Sequence, residues 1–186
     1  MRSTGQQTRS EILRVSARLF AERGYGGTSV EDIGGACGIS GPAVYKHFAN
    51  KHAVLADLLV DISEQLQQRA LAVLDRQEPP AAALRQLVEV HVDFALAEPD
   101  LIRVHDRDLP SLQPRERRTV RRLQRGYVEL WVDVLRALDP GLSTEVARTR
   151  AHATFGLLNS TPHSASRSRS EAARQLSGMA LRALVG

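Results

Sequence analysis

From Thr8 onward, apolar residues return at helical spacing: Ile12, Val15, Leu19 and Phe20, with Ala17 and Ala21 beside them. The spacing predicts a helix that stops at Gly24, with Arg23 in its last turn. The polar run MRSTGQQ ahead of it is expected to fray. In TSVED, Ser29 as N-cap and Asp32 three residues on have the spacing of a capping box, opening a second, brief helix that ends near Cys37. Gly34 and Gly35 inside it each cost on the order of 1 kcal/mol against Ala, which close packing on a neighbour would offset. Ser40 is expected to cap a third helix, with Pro42 tolerated in its first turn. Asn50 opens a fourth, whose apolar stripe includes Val54, Leu55, Leu58, Leu59, Ile62 and Leu66. Beyond EPP (78–80), longer helices are expected at 81–97, 100–107, 114–138, 143–159 and 168–184. Pro99, Pro110, Pro114, DPG (139–141) and STPHSAS (160–166) separate them. No stretch alternates as a strand does, so the pattern predicts an all-α chain. It comprises a small N-terminal three-helix unit, a connecting helix and a larger helical body.

Composition changes this picture little. Aromatics are 4% of the 186 residues, so the core must be built from Ala, Leu and Val, which suits helices. The net charge of +4 is compatible with a polyanionic partner without demanding one. The single cysteine, Cys37, excludes an intrachain disulfide and fits a reducing compartment. With no secretory h-region and no apolar run of spanning length, a soluble, cytoplasmic protein is expected.

Residues 38–51, GISGPAVYKHFANK, hold few apolar groups and many donors. Two short helices around a Gly-containing turn fit a helix-turn-helix or an ordinary helical hairpin. The residues after the turn favour the former. Val44 and Phe48, four apart, share the face that anchors the third helix. The other face carries Gly41, Pro42, Tyr45 and Lys46. Gly41, Pro42 and Ala43 are small enough for the helix tip to approach a groove floor. Tyr45, Lys46, His47 and Lys51 supply donors where phosphates would lie. The helix starts at Ser29, Ser40 and Asn50 add backbone N–H groups facing anions. Lys46 is the one strong base-edge donor, so base reading should be modest and affinity should rest on phosphates.

The run from Thr8 to Leu55, with its YKHFANK core, resembles the N-terminal domain of the TetR (tetracycline repressor) family. The resemblance implies a DNA-binding head over 8–55, a connecting helix to about 75, and a body over 81–186 for ligand binding and dimerisation. It implies a homodimer that binds a palindromic operator, mostly as a repressor, and releases it when a small molecule binds the body. The DNA-contacting positions of the family fall on Ser29, Gly41, Pro42, Ala43, Tyr45, Lys46, His47 and Lys51, with Thr28 as an added phosphate contact. The family more often has Ala at one or both of Gly34 and Gly35. Its last two helices pair as a four-helix bundle with those of the partner. Here these carry Val146, Ala153, Leu157, Leu176, Met179, Ala180 and Leu184. Two heads about one DNA turn (~34 Å) apart would share a palindrome.

In the body, polar or aromatic residues recur on apolar faces: His91 with Phe94, Tyr127 with Trp131, and His152 with Phe155 and Asn159. Each could be core, or could line a pocket for a hydrophobic or acyl-thioester effector. The arginine-rich PRERRTVRRLQR (114–125) is read as a solvated helix face, a contact for an anionic ligand, or a second DNA surface. Cys37 reads as an inert thiol. The spacing of the six histidines gives no metal site, and no catalytic motif or cofactor is expected. A non-inducible architectural DNA-binding protein and a helical enzyme remain the competing readings.

Overall fold

A computed structural model describes residues 4–163 and 168–186. Among these, nine α-helices and no strand occur. They are α1 (Thr4–Arg23), α2 (Val30–Ala36), α3 (Gly41–Val44), α4 (Lys51–Leu74), α5 (Pro80–Ala97), α6 (Pro99–Asp108), α7 (Pro114–Leu138), α8 (Thr144–Leu158) and α9 (Arg169–Val185). The all-α expectation holds, and most boundaries fall within a residue or two of those read from the breakers. One difference is α1, which begins at Thr4 rather than Thr8. Gly5, Gln6 and Gln7 are exposed, so this added turn needs no burial, only continuation of a helix already nucleated. The part of STPHSAS that spans 164–166 lies outside the described residues. Thr161–His163 forms a short 3-10 turn, tied by the Thr161 hydroxyl donating to the Ala95 carbonyl at 2.8 Å.

The chain forms two compact units. The head comprises residues 1–62 together with 100–120, so α6 and the first turns of α7 join the N-terminal helices. Sequence order had suggested a head ending near 55, because α6 lies far along the chain. Its core is Ile12, Val15, Leu19, Phe20, Ile33, Val44, Phe48, Val54, Leu55 and Leu59, with Ile102, Val104 and Leu112 from the later segment. Gly24 ends α1 at φ +82°, a left-handed conformation that other residues enter only with strain.

The body comprises residues 63–99 and 121–186. Here α9 packs on α5 and on α8. Ala70, Leu84, Leu87, Val88, Trp131, Leu135, Ala147, Ala151, Leu158, Ala180 and Leu184 form its core. Ala180 and Leu184, expected on a dimer face, are instead fully buried in this core. Of the apolar residues on those last helices, Val146, Ala153, Met179, Ala183 and Val185 are exposed.

Candidate nucleic-acid interface and body site

The turn between α2 and α3 is held by close backbone contact. A Cβ at Gly34 would lie 3.0 Å from both Gly41 N and Ile39 O, so only glycine lets α2 touch the turn unshifted. A Cβ at Gly35 would meet nothing within 4 Å, so the two glycines are not equivalent. Gly38 takes φ +69°, and Ile39 N donates back to Gly34 O at 2.9 Å, which closes α2 and turns the chain. The capping box forms as read. Ser29 Oγ accepts from Asp32 N at 3.0 Å, and the Asp32 carboxylate accepts from Ser29 N at 2.8 Å. The Ser29 hydroxyl also donates to this carboxylate at 2.6 Å, and this bond, ahead of the backbone one, holds the Asp32 carboxyl below its usual pKa. Asn50 caps α4, its side chain accepting from Ala53 N at 2.8 Å. Ser40 occupies the N-cap position of α3, but its hydroxyl makes no cap bond.

Helix α3 is a single turn, continued by turns at Tyr45–His47 in which His47 N and Phe48 N both donate to Val44 O. Val44 and Phe48 are buried as the four-residue spacing required. Ser29, Ser40, Pro42, Tyr45 and Lys46 are exposed, and Gly41, Ala43 and His47 half-exposed. Tyr45 is a large ring left 50% exposed.

Two residues expected to contact DNA bond to backbone carbonyls of the head. Thr28 is buried, and its hydroxyl donates to Gly24 O at 2.9 Å and Leu19 O at 3.3 Å. It closes the end of α1 and offers no side-chain donor to a phosphate. Lys51 turns inward: its ammonium donates to Thr28 O at 2.7 Å and Tyr25 O at 2.8 Å, and lies 4.4 Å from the Tyr25 ring centre. A carbonyl-bound ammonium of this kind fixes the loop before α2 and leaves one N–H for anything outside.

The sequence reading missed the residues that brace this head. Tyr25, in the otherwise small GYGG turn, stacks edge-on against Phe20 with centres 5.5 Å apart. Its hydroxyl lies 3.4 Å from His52 Nδ1, while His52 Nε2 accepts from Gln113 N at 3.1 Å. Arg107 of α6 donates to the carbonyls of Phe20 and Ala21 at the end of α1, and pairs with Asp108. Arg9 pairs with Asp57 at 2.7 Å and lies 5.1 Å from the Phe48 ring centre. An aromatic in a glycine turn was the one visible signal; the Arg107 contact spans 86 residues and leaves no local trace. Cys37 is half-buried, and burial pushes its thiol pKa up, as expected for an inert thiol.

In the body, five of the seven expected pocket residues gather around His91. Its ring stacks on Phe155 (5.0 Å between centres) and Tyr127 (5.8 Å), and meets Phe94 and Trp131 edge-on. Tyr127 OH lies 3.1 Å from His91 Nδ1, and Asn159 Oδ1 lies 3.1 Å from Nε2. The consistent assignment is a neutral ring accepting from Tyr127 and donating to Asn159. Burial, partly offset by the Asn159 bond, pushes the His91 pKa down to about 4. Burial likewise raises that of Tyr127. The cluster is uncharged at neutral pH. Trp131 and Thr154 are fully buried; Trp131 Nε1 lies beside the Tyr127 hydroxyl, while Thr154 Oγ1 has no hydrogen-bond partner among the described residues. His152 is not in this cluster. It sits one position off the Phe155 face, is exposed, and lines a separate groove of about 280 Å³ with Arg121, Gln124, Arg125, Val128, Glu129 and Arg148. No group of three metal-ligating side chains occurs among the described residues.

A one-turn helix with a bare tip, braced by two others, defines a helix-turn-helix DNA-binding protein, and this chain is a transcriptional regulator of that class. Residues 12–58 match the family model for bacterial regulatory proteins of the tetR family, and residues 77–184 match the tetracyclin repressor-like C-terminal domain. The chain belongs to the TetR family. It is 30% identical over 146 residues to the HTH-type transcriptional regulator CymR of Pseudomonas putida, covering 76% of this chain and 70% of that one. It is also 30% identical over 130 residues to the HTH-type transcriptional repressor KstR2 of Rhodococcus jostii, covering 69% of this chain and 64% of that one. Among solved structures it resembles a TetR-family transcriptional regulator from Bordetella parapertussis, with a TM-score of 0.83, 27% identity and 93% coverage of both chains.

Proposed function

We propose that the protein is a homodimeric repressor that binds a palindromic operator through its two heads and leaves it when an effector enters the body. One observation carries the DNA reading. Ser40, Pro42, Tyr45 and Lys46 are exposed beside the small Gly41 and Ala43 on the segment that carries α3, while Val44 and Phe48 are buried on its other side. Such a tip can enter a major groove, with hydroxyls and one lysine at its edge for phosphates. The name of the R. jostii relative, a repressor, supports the sign of regulation. Exposed Val146, Met179 and Val185 on α8 and α9 support pairing with a second copy through that face.

The effector site is the cluster around His91. The enclosed Thr154 hydroxyl, without a partner among the described residues, would gain one from an acceptor on a bound molecule, which would also meet the Trp131 Nε1 donor beside the Tyr127 hydroxyl. The rings and the neutral histidine favour an uncharged, apolar or aromatic portion, such as the acyl chain of a thioester. The half-buried Phe155 is the ring that must move to admit it. Helix α4 contributes its first half to the head and its second to the body, and so can pass a displacement along the chain. The effector need only bind the released arrangement more tightly than the bound one. A cytoplasmic, nucleoid-associated location follows from operator binding. No residue is assigned a catalytic role.

The test is footprinting on the DNA upstream of the protein's own gene, repeated with apolar and acyl-thioester compounds. The expected result is a palindromic footprint that one compound class abolishes in the wild type and not in Trp131→Phe. A footprint unmoved by every compound would favour a non-inducible DNA-binding protein.

A further inference from the structure

The groove between α7 and α8 lies outside the His91 cluster and has its own chemistry. Its walls are Arg121, Gln124, Arg125, Val128, Glu129, Arg148 and His152, around about 280 Å³. Arg148 is held in place by Glu129, with Nε–Oε1 2.9 Å and Nη2–Oε2 3.0 Å. That pair neutralises itself. Arg121 and Arg125 are different: they are exposed, four apart on one helix, and neither makes an ion pair among the described residues. Like charges at this spacing weaken a helix by a few tenths of a kcal/mol. The same run, PRERRTVRRLQR, places six arginines and one acid in the N-terminal half of α7, where the helix dipole also disfavours cations. A solvated face would be better served by mixed charges. Val128, which is buried, and the arginine stems give the groove an apolar floor.

We propose that this groove is a second ligand site, for an amphipathic organic anion. A phosphate or carboxylate head is bound by Arg121 and Arg125, and a short apolar body lies along Val128 toward His152. The planar guanidinium forks suit either head, since both accept paired N–H bonds. The paired Arg148–Glu129 end carries no net charge, so an anionic head is drawn to the Arg121–Arg125 end. This site is independent of the effector reading, because it uses other residues and the opposite charge character.

The probes are octyl phosphate and octanoate, with octanol and inorganic phosphate as the two halves of the amphiphile, titrated calorimetrically at constant ionic strength. Octyl phosphate or octanoate binds the wild type saturably, more tightly than either half, and the preferred head identifies the ligand class. Arg121→Gln with Arg125→Gln weakens that binding about tenfold or more, through two lost charge-assisted contacts. Arg118→Gln with Arg122→Gln removes the same charge from the same helix outside the groove and leaves the affinity within about twofold. Circular dichroism confirms that both double variants are folded. The proposal is overturned if neither amphiphile binds saturably, or if the two double variants weaken binding equally.

Discussion

His91 makes the body sensitive to acid, and the size of the effect follows from its surroundings. The ring is 4% exposed, is enclosed by four other aromatic rings, and uses both nitrogens in bonds to Tyr127 and Asn159. Burial lowers its pKa from 6.5 to about 4. The unfolded chain therefore binds a proton throughout that window that the folded chain refuses. Stability from this group is fully present above pH 6.5 and is lost as pH falls toward 4. At about 1.4 kcal/mol per pH unit, the whole window amounts to about 3 kcal/mol, and about 2.5 kcal/mol is gone by pH 4.5. A domain with a total of about 5–15 kcal/mol feels that loss. The assay is urea denaturation at fixed protein concentration, from pH 7.5 to 4.5, for the wild type and His91→Gln. At pH 7.5 the variant is less stable, having lost packing on Phe155 and Tyr127. Toward pH 4.5 the gap narrows by about 2.5 kcal/mol, because only the wild type carries the titrating ring. Parallel curves for the two proteins would refute the assignment of a buried, neutral His91.

Other consequences follow from the head. Lys51→Met removes two carbonyl bonds and the Tyr25 contact, so it should lower stability by about 1.5–3 kcal/mol in thermal or chemical unfolding. It should also weaken DNA binding equally for operator and unrelated sequences; a sequence-selective loss at unchanged stability would contradict the inward-facing ammonium. Gly35→Ala adds a methyl into open space within a helix and should raise stability by about 0.5–1 kcal/mol. Gly34→Ala must push the turn carrying α3 by a few tenths of an ångström, and should lose that gain and weaken operator binding in a fluorescence anisotropy titration.

Element order and most helix ends were legible because they depend on neighbours in sequence. The Ser29 capping box, the Gly24 and Gly38 stops and the Val44–Phe48 anchor all form within a few residues of their signals. The gathering of His91, Phe94, Tyr127, Trp131, Phe155 and Asn159 was legible as three separate helical faces, though not as one cluster. Side-chain direction was harder to read. Thr28 and Lys51 carry donors that their positions in sequence suggested for phosphates, yet these donors bond to backbone carbonyls of the same head. His152 was placed with Phe155 on the strength of a three-residue spacing, which on a helix is a 60° difference, enough to reach another groove. Ala180 and Leu184 look like interface residues in a helix otherwise rich in polar groups, but the core of their own body takes them. The groove itself is formed by two helices, and no single stretch of sequence reveals it.

The central claim is that the tip around Gly41, Pro42, Tyr45 and Lys46 meets the phosphate backbone of an operator. Its most direct test is the salt dependence of binding to the footprinted DNA, measured for the wild type and Lys46→Ala. The expected result is a steep fall in affinity with salt for the wild type, and a slope smaller by about one per head for the variant. Identical slopes and affinities for the two proteins would contradict it.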